Sequence, residues 1–270
     1  MRTIAKGIVP ALMFVAVVLA ATVVPAEAIT NGEPDGNGHP NVGVIILDRG
    51  TGPMHQCSGE LIAPMQFLTA AHCTGFVNVP TTHLLGVSFE PTVNLSSPTL
   101  VPAASVTVDP LFGKDLANLH DLAVITLARA VSTAPVRLPT AGLLDQLAAQ
   151  GGLVRQDFTN VGYGATGVAS GGGAPTITGF DPPVRRISTS PFQSLEPNVL
   201  RLHGNTNSTG EGGDCVGDSG SASYLNVDGA DIAVAIITLG GDQRCVSNDP
   251  RYRLDTPSAR AFLGQFVTLP

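Results

Sequence analysis

The chain has 270 residues, with 14 Lys+Arg against 21 Asp+Glu and a formal net charge of −7. Only 13% of residues are charged and 43% are hydrophobic, which excludes an acidic disordered chain, and a mildly acidic balance without a basic block argues against nucleic acid or an anionic membrane as partner. The 31 Gly and 21 Pro, with few Lys and Glu, argue against a helical bundle or coiled coil and for many short strands and turns.

Taken in chain order, the first segment is an export signal. Arg2 and Lys6 precede an almost wholly apolar run, Ile8 to Val24, and Ala26-Glu27-Ala28 closes it with small residues in an A-x-A pattern. The uninterrupted part, Ala11 to Val24, is short for a membrane span of roughly 20 residues. Residues 1–28 are therefore read as a cleaved signal peptide, and the product as exported, with no membrane attachment after cleavage. Cleavage leaves 242 of the 270 residues, with 12 basic against 20 acidic side chains. Runs suited to strands follow at Val42–Leu47, Gly59–Ile62, Gln66–Ala70, His83–Phe89, Asp121–Leu127, Phe158–Gly162, Val199–His203 and Ile232–Leu239. Two helices are predicted. One spans Ala141–Gln150, with Thr140 as N-cap and Gly151-Gly152 as its stop, and the other spans Pro257–Val267. Gly171–Gly173 reads as a loop. Many short strands and one terminal helix point to antiparallel barrels or a sandwich, and a break near 137–155 splits the strands into two groups. Four cysteines remain, Cys57, Cys73, Cys215 and Cys245. In an exported chain they read as two disulfides of open connectivity, and no C-x-x-C pair suggests a metal site.

Three motifs carry chemistry: Leu68-Thr69-Ala70-Ala71-His72-Cys73, His120-Asp121-Leu122-Ala123-Val124-Ile125-Thr126-Leu127, and Cys215-Val216-Gly217-Asp218-Ser219-Gly220. Nucleophilic catalysis by serine needs a base for the hydroxyl proton and a carboxylate that fixes the base's tautomer and stabilises its cation. His, Asp and Ser occur here in that order, each at the edge of an apolar run. His120 adjoins Asp121, but strand neighbours point to opposite faces, so His120 is read as structural, as are His39, His55, His83 and His203.

On these motifs the chain resembles the chymotrypsin/trypsin-like serine peptidases over essentially all of the segment after residue 28. The resemblance implies an all-β fold of two antiparallel six-stranded β-barrels with a C-terminal helix. The first barrel is expected at about 29–140, the second at about 153–255 and the helix at about 257–267, with the cleft between the barrels. It implies His72 as general base, Asp121 as its orienting carboxylate and Ser219 as nucleophile, with the N–H groups of Gly217 and Ser219 as oxyanion hole. It also implies disulfides Cys57–Cys73 and Cys215–Cys245. Thr238-Leu239-Gly240 is similar to the segment that binds substrate main chain as an added strand, and Val161-Gly162-Tyr163-Gly164 resembles a strand of the second barrel. The new N-terminus Ile29 is expected to pair with Asp218 and shape the site. Because Ala26-Glu27-Ala28 directly precedes Ile29, export itself would create that terminus.

Gly220-Ser221-Ala222 departs from the family's Gly-Gly-Pro and is expected to narrow the cleft. Leu239 replaces an aromatic, Thr30 and Asn31 depart from the usual Ile-Val-Gly-Gly start, and no acidic Ca²⁺ loop is visible. The resemblance implies that Gly213 and Asp214 lie at the pocket floor. An open carboxylate there would favour Arg or Lys at the cleaved position, unless Asp214 points away or Arg251 neutralises it. The leading reading is thus an active secreted endopeptidase acting on protein or peptide substrates, monomeric, with no cofactor or metal and no nucleic-acid partner. The alternative is an inactive homologue that binds a partner through the same cleft, against which an intact triad argues. An α/β-hydrolase esterase is disfavoured because its motif is G-x-S-x-G and its order Ser, acid, His.

Overall fold

The structure, a computed structural model, describes residues 29–74, 83–115, 117–169, 176–238, 245–246, 248 and 250–270. Residues 1–28, read as a signal peptide, Gly171–Gly173, read as a loop, and Leu239 and Gly240 of the substrate-strand expectation lie outside the described residues.

In chain order the strands are β1 (Glu33–Pro34), β2 (Val42–Asp48), β3 (Pro53–Ala63), β4 (Gln66–Thr69), β5 (Leu84–Ser88), β6 (Val101–Val108) and β7 (Ala123–Leu127). Helix α1 (Leu143–Ala149) follows, then β8 (Asp157–Gly162), β9 (Gly167–Ala169), β10 (Thr176–Thr178), β11 (Arg186–Leu195) and β12 (Val199–Leu202). A one-turn α2 (Thr206–Thr209) precedes β13 (Ala222–Val227), β14 (Ala230–Ile237), β15 (Pro250–Arg253) and the terminal α3 (Pro257–Leu263). Strands β2-β3-β4-β7-β6-β5 close one antiparallel barrel. Strands β8, β11, β12, β15, β14 and β13 close the second, since β13 pairs back to β8, and β1 adds to the outside of β11. The expected two six-stranded barrels are thus the observed fold, with α1 at the predicted break.

The apolar runs explain the walls. β2 is buried on both faces because its inner residues fill the first barrel while its outer ones lie against β8. Val44, Ile46, Phe67, Leu68, Val124 and Ile125 form one core that continues across the inter-barrel contact to Val161, Tyr163 and Tyr224. Phe158, Leu200, Leu202, Leu225 and Val234 fill a second core, covered by Leu144 of α1.

Three of the strands that the sequence reading did not list show why. β6 is half exposed and carries Pro102, β11 is rich in Ser and Thr, and β15 reads Pro-Arg-Tyr-Arg. None has an apolar alternation, and all are strands because their neighbours supply a ladder. The α1 cap also differs. The residue before the helix is Gly142 with φ 65°, and Asp255 Oδ2, from a distant segment, accepts the Leu144 N–H at 2.8 Å. Thr256, by contrast, caps α3 locally by accepting the Ala259 N–H, with Pro257 in the first turn as expected.

Candidate active site

His72 lies in the 3₁₀ turn Ala71–Cys73, just beyond β4, and Asp121 lies just before β7. β4 and β7 are antiparallel neighbours with Thr69 opposite Ala123, so both residues emerge at the same end of the first barrel. Asp121 is wholly buried. Its Oδ1 accepts the His72 backbone N–H at 2.8 Å, and its Oδ2 lies 2.8 Å from His72 Nδ1. A carboxylate only accepts, so Nδ1 carries the hydrogen and Nε2 is left as the basic nitrogen. Thr238, at the end of β14, also donates its hydroxyl to Oδ2. Burial alone would push the Asp121 carboxyl up, but the His72 and Thr238 hydrogen bonds outweigh it and hold the group below its ordinary value.

The backbone around Asp121 is braced. Leu122 N–H donates to the His120 carbonyl at 2.8 Å, a three-residue turn centred on Asp121. His120 sits at φ 50°, and its Nδ1 is 3.1 Å from Asp109 Oδ2. The Asp109 N–H in turn donates to the Leu122 carbonyl at 2.9 Å. One residue, Asp109, therefore clamps the chain on both sides of Asp121. His120, read from the sequence as a strand residue facing away from Asp121, lies outside β7 and contacts Asp109, and Asp109 carried no motif that would have revealed it.

Ser219 comes from the second barrel, just before β13. The loop that carries Ser219 is pressed onto the first barrel. Ser58 N–H donates to the Ser219 carbonyl at 3.0 Å, and Ser58 Oγ donates to the Gly217 carbonyl at 2.9 Å. At Gly220 (φ 85°) a Cβ would lie 2.2 Å from Thr69 Oγ1 and 2.7 Å from the Ala70 nitrogen, so only glycine permits this approach. Ser219 and His72 border the same cavity of about 390 Å³. His72 Nε2 is 3.8 Å and the Ser219 carbonyl oxygen 3.7 Å from Cys73 Sγ. Among the described residues no hydrogen bond joins Ser219 Oγ to His72 Nε2, so the relay is closed at Asp121 and open at Ser219. Gly217 takes φ 100°, and neither its N–H nor that of Ser219 is used in a hydrogen bond among the described residues. Both N–H groups are thus available beside the cavity that these residues line.

Both expected disulfides are formed, Cys57–Cys73 beside His72 and Cys215–Cys245 beside the loop that carries Ser219. Cys57, His72 and Cys73 cluster within 4.8 Å, but the two sulfurs are bonded to each other and offer no thiolate to a metal. Ser221 corrects one expectation. Its hydroxyl turns inward, fully buried, and donates to the Asp218 carbonyl at 2.8 Å, so it does not narrow the cleft.

Asp218 is wholly buried, and its oxygens accept N–H groups from Gly164 at 2.7 Å and Cys215 at 3.0 Å. Burial, reinforced by nearby Asp214, pushes its carboxyl up to about 8 against these hydrogen bonds. Ile29 is buried, and Thr30 bridges to Gly213. In this chain the Ile29 nitrogen is a peptide nitrogen following Ala28, and Ile29 and Asp218 are not joined by an ion pair or hydrogen bond among the described residues. Gly213 is enclosed: its N–H donates to the Thr30 carbonyl at 3.1 Å, and a Cβ would meet the Gly204 carbonyl oxygen at 2.4 Å. Asp214 lines the cavity, and its Oδ2 pairs with buried Arg251. His55, read from the sequence as structural, also lines the cavity and packs against Phe180 with ring centroids 3.8 Å apart and the rings tilted by 49°. Burial pushes its imidazole down to about 4, so it stays neutral at physiological pH.

Comparison with known proteins agrees with this architecture. A stretch of 78 residues, 29% of this chain, is 35% identical to Ovochymase of Halocynthia roretzi, of which it covers only 5%. The family model described as Trypsin matches residues 29–261, the span that holds both barrels, both disulfides and every residue of the cleft. The chain belongs to the trypsin family of serine peptidases.

Proposed function

We propose that the chain is a secreted serine endopeptidase that cleaves peptide bonds through an acyl-enzyme, with residues 1–28 removed on export and 29–270 forming the monomeric peptidase domain. The observation that carries this reading is that His72, held by the buried Asp121, lines one cavity together with Ser219 and Gly217, whose backbone N–H groups are unused among the described residues. In the reaction Ser219 Oγ attacks the scissile carbonyl carbon as its proton passes to His72 Nε2. Asp121 keeps the imidazole oriented and stabilises its cation. The N–H groups of Gly217 and Ser219 stabilise the negative oxygen that forms. His72 then hands its proton to the departing amine nitrogen, the C–N bond breaks, and an ester to Ser219 remains. Water, deprotonated by His72, attacks that ester and releases the acid and the free serine. The open Ser219–His72 link fits a site that tightens when substrate is bound. Thr238 supports Asp121 through its side chain, and in this reading Thr238, Leu239 and Gly240 are the segment that binds substrate main chain.

Export and activation are coupled in this reading. Cleavage after Ala28 turns the Ile29 nitrogen into an α-ammonium, and Asp218 is the buried carboxylate that would receive it. Oxidised cysteine pairs fit an exported protein, and no helix among the described residues is long and apolar enough to cross a membrane. The test is labelling of the secreted protein with a fluorophosphonate, followed by hydrolysis of a peptide amide. Ser219 should be labelled and Ser219→Ala should not. A secreted protein that starts at Ile29 and takes no label would leave the inactive binding homologue as the reading.

A further inference from the structure

The peptidase reading leaves open what the pocket beside Ser219 accepts. We infer that it takes an uncharged, apolar side chain, because Arg251 holds the carboxylate of Asp214 from behind the pocket wall. This inference rests on the peptidase reading of the same cleft.

Among the described residues Asp214 is the one acidic residue lining the cavity, yet it is only 3% exposed. Its Oδ2 is bound by the Arg251 guanidinium, itself wholly buried. Its Oδ1 is also buried, with no hydrogen-bond partner. Arg251 is fixed in place by an unbroken polar chain. Its Nε donates to Ser223 Oγ at 2.7 Å, and Ser223 Oγ donates to Asn160 Oδ1 at 2.7 Å. Asn160 Nδ2 donates to Ser190 Oγ at 2.8 Å, and Ser190 Oγ donates to the Gly212 carbonyl at 2.9 Å. Arg251, Ser223, Asn160 and Ser190 are all at 0% exposure. A guanidinium tied at both ends cannot swing away to release the carboxylate.

The consequence follows from charge. A Lys or Arg side chain entering the pocket would lose its hydration and meet a carboxylate already neutralised, with a second cation behind it. Burying an ion is costly unless it gains a counter-charge of its own; Asp214 Oδ1 is left without a hydrogen-bond partner, but the charge of that carboxylate is already balanced by Arg251 at Oδ2. An uncharged side chain faces no such penalty. Val216, Ile237 and the Cys215–Cys245 disulfide supply apolar surface for it. The pair therefore acts as an element directed against basic substrates.

The experiment begins with fluorophosphonate labelling of the secreted enzyme, which decides the peptidase reading by itself. Matched peptide amides with Phe, Leu, Arg or Lys at the cleaved position are then compared. Phe or Leu should be preferred by about tenfold or more in kcat/KM, and a preference for Arg or Lys overturns the inference. Arg251→Gln, which leaves Asp214 unpaired, should raise the Arg-to-Phe ratio by about tenfold or more, and an unchanged ratio in the folded variant overturns it as well. Where Arg251→Gln does not fold, or where no turnover is seen, benzamidine serves as a cationic probe of the wild-type chain by calorimetry. The inference expects no saturation below about millimolar benzamidine, and binding at about micromolar concentrations (some 4 kcal/mol tighter) overturns it.

Discussion

Asp218 offers a test of activation that needs no substrate. Its carboxyl, ordinarily at 3.8, is pushed up to about 8 by burial and by Asp214 in the uncut chain. The sign follows from proton counting. Between about pH 4 and pH 8 the unfolded chain has lost this proton and the folded chain keeps it, so stability falls as pH rises through that window and levels off above it. From pH 4.5 to 7.5 the loss amounts to about 4 kcal/mol, at about 1.4 kcal/mol per pH unit. If the Ile29 ammonium pairs with Asp218 after the cut, the carboxylate stays ionised in the folded state and this loss disappears. The perturbation is a single retained residue: Ser219→Ala protein beginning at Ile29, against the same protein still carrying Ala28. Denaturant unfolding at both pH values measures the difference between the two forms. That difference should grow with pH by about 4 kcal/mol, or roughly 10 °C in Tm for a domain of this size. Asp35 titrates oppositely. Burial would raise it, but His39 and Arg185 hold it down at about 2, so it adds stability that is lost only as pH falls toward that value, equally in both forms. Parallel curves for the two proteins would refute the pairing of Ile29 with Asp218.

The remaining predictions concern the triad and its supports. Ser219→Ala or His72→Ala should lower turnover of a peptide amide by about 10⁶, and Asp121→Asn by about 10⁴ through the wrong imidazole tautomer, with secretion and fold retained. Near-full turnover from Ser219→Ala would show that the nucleophile is another residue. Asp109→Ala removes the clamp on both sides of Asp121 and should lower kcat with little change in KM, with partial recovery in Asp109→Asn. Equal loss in both variants, with KM rising in step, would assign Asp109 to general stability. Replacing Cys57 and Cys73 by Ser opens a loop whose ends are 16 residues apart, and should cost about 3 kcal/mol in denaturant unfolding.

The two motifs T-A-A-H-C and G-D-S-G were enough to identify the family. They are local, because a strand end, a disulfide partner and a tight glycine turn are each encoded within a few residues. The apolar runs Val42–Leu47, Gln66–Ala70 and Ile232–Leu239 likewise marked strands whose side chains build the cores. What had no local signature depended on distant partners. β11 and β15 are polar or charged, and are strands only because neighbouring ladders complete their hydrogen bonds, while α1 is capped by Asp255 across the fold. The Asp109 clamp, the inward turn of Ser221 and the contact of His55 with Phe180 required the folded chain to bring separated residues together. So did the pocket. The sequence placed a carboxylate at Asp214 and a cation at Arg251, but their separation and burial decide whether that carboxylate faces a substrate or a guanidinium, and both are set by how β15 packs behind the nucleophile loop.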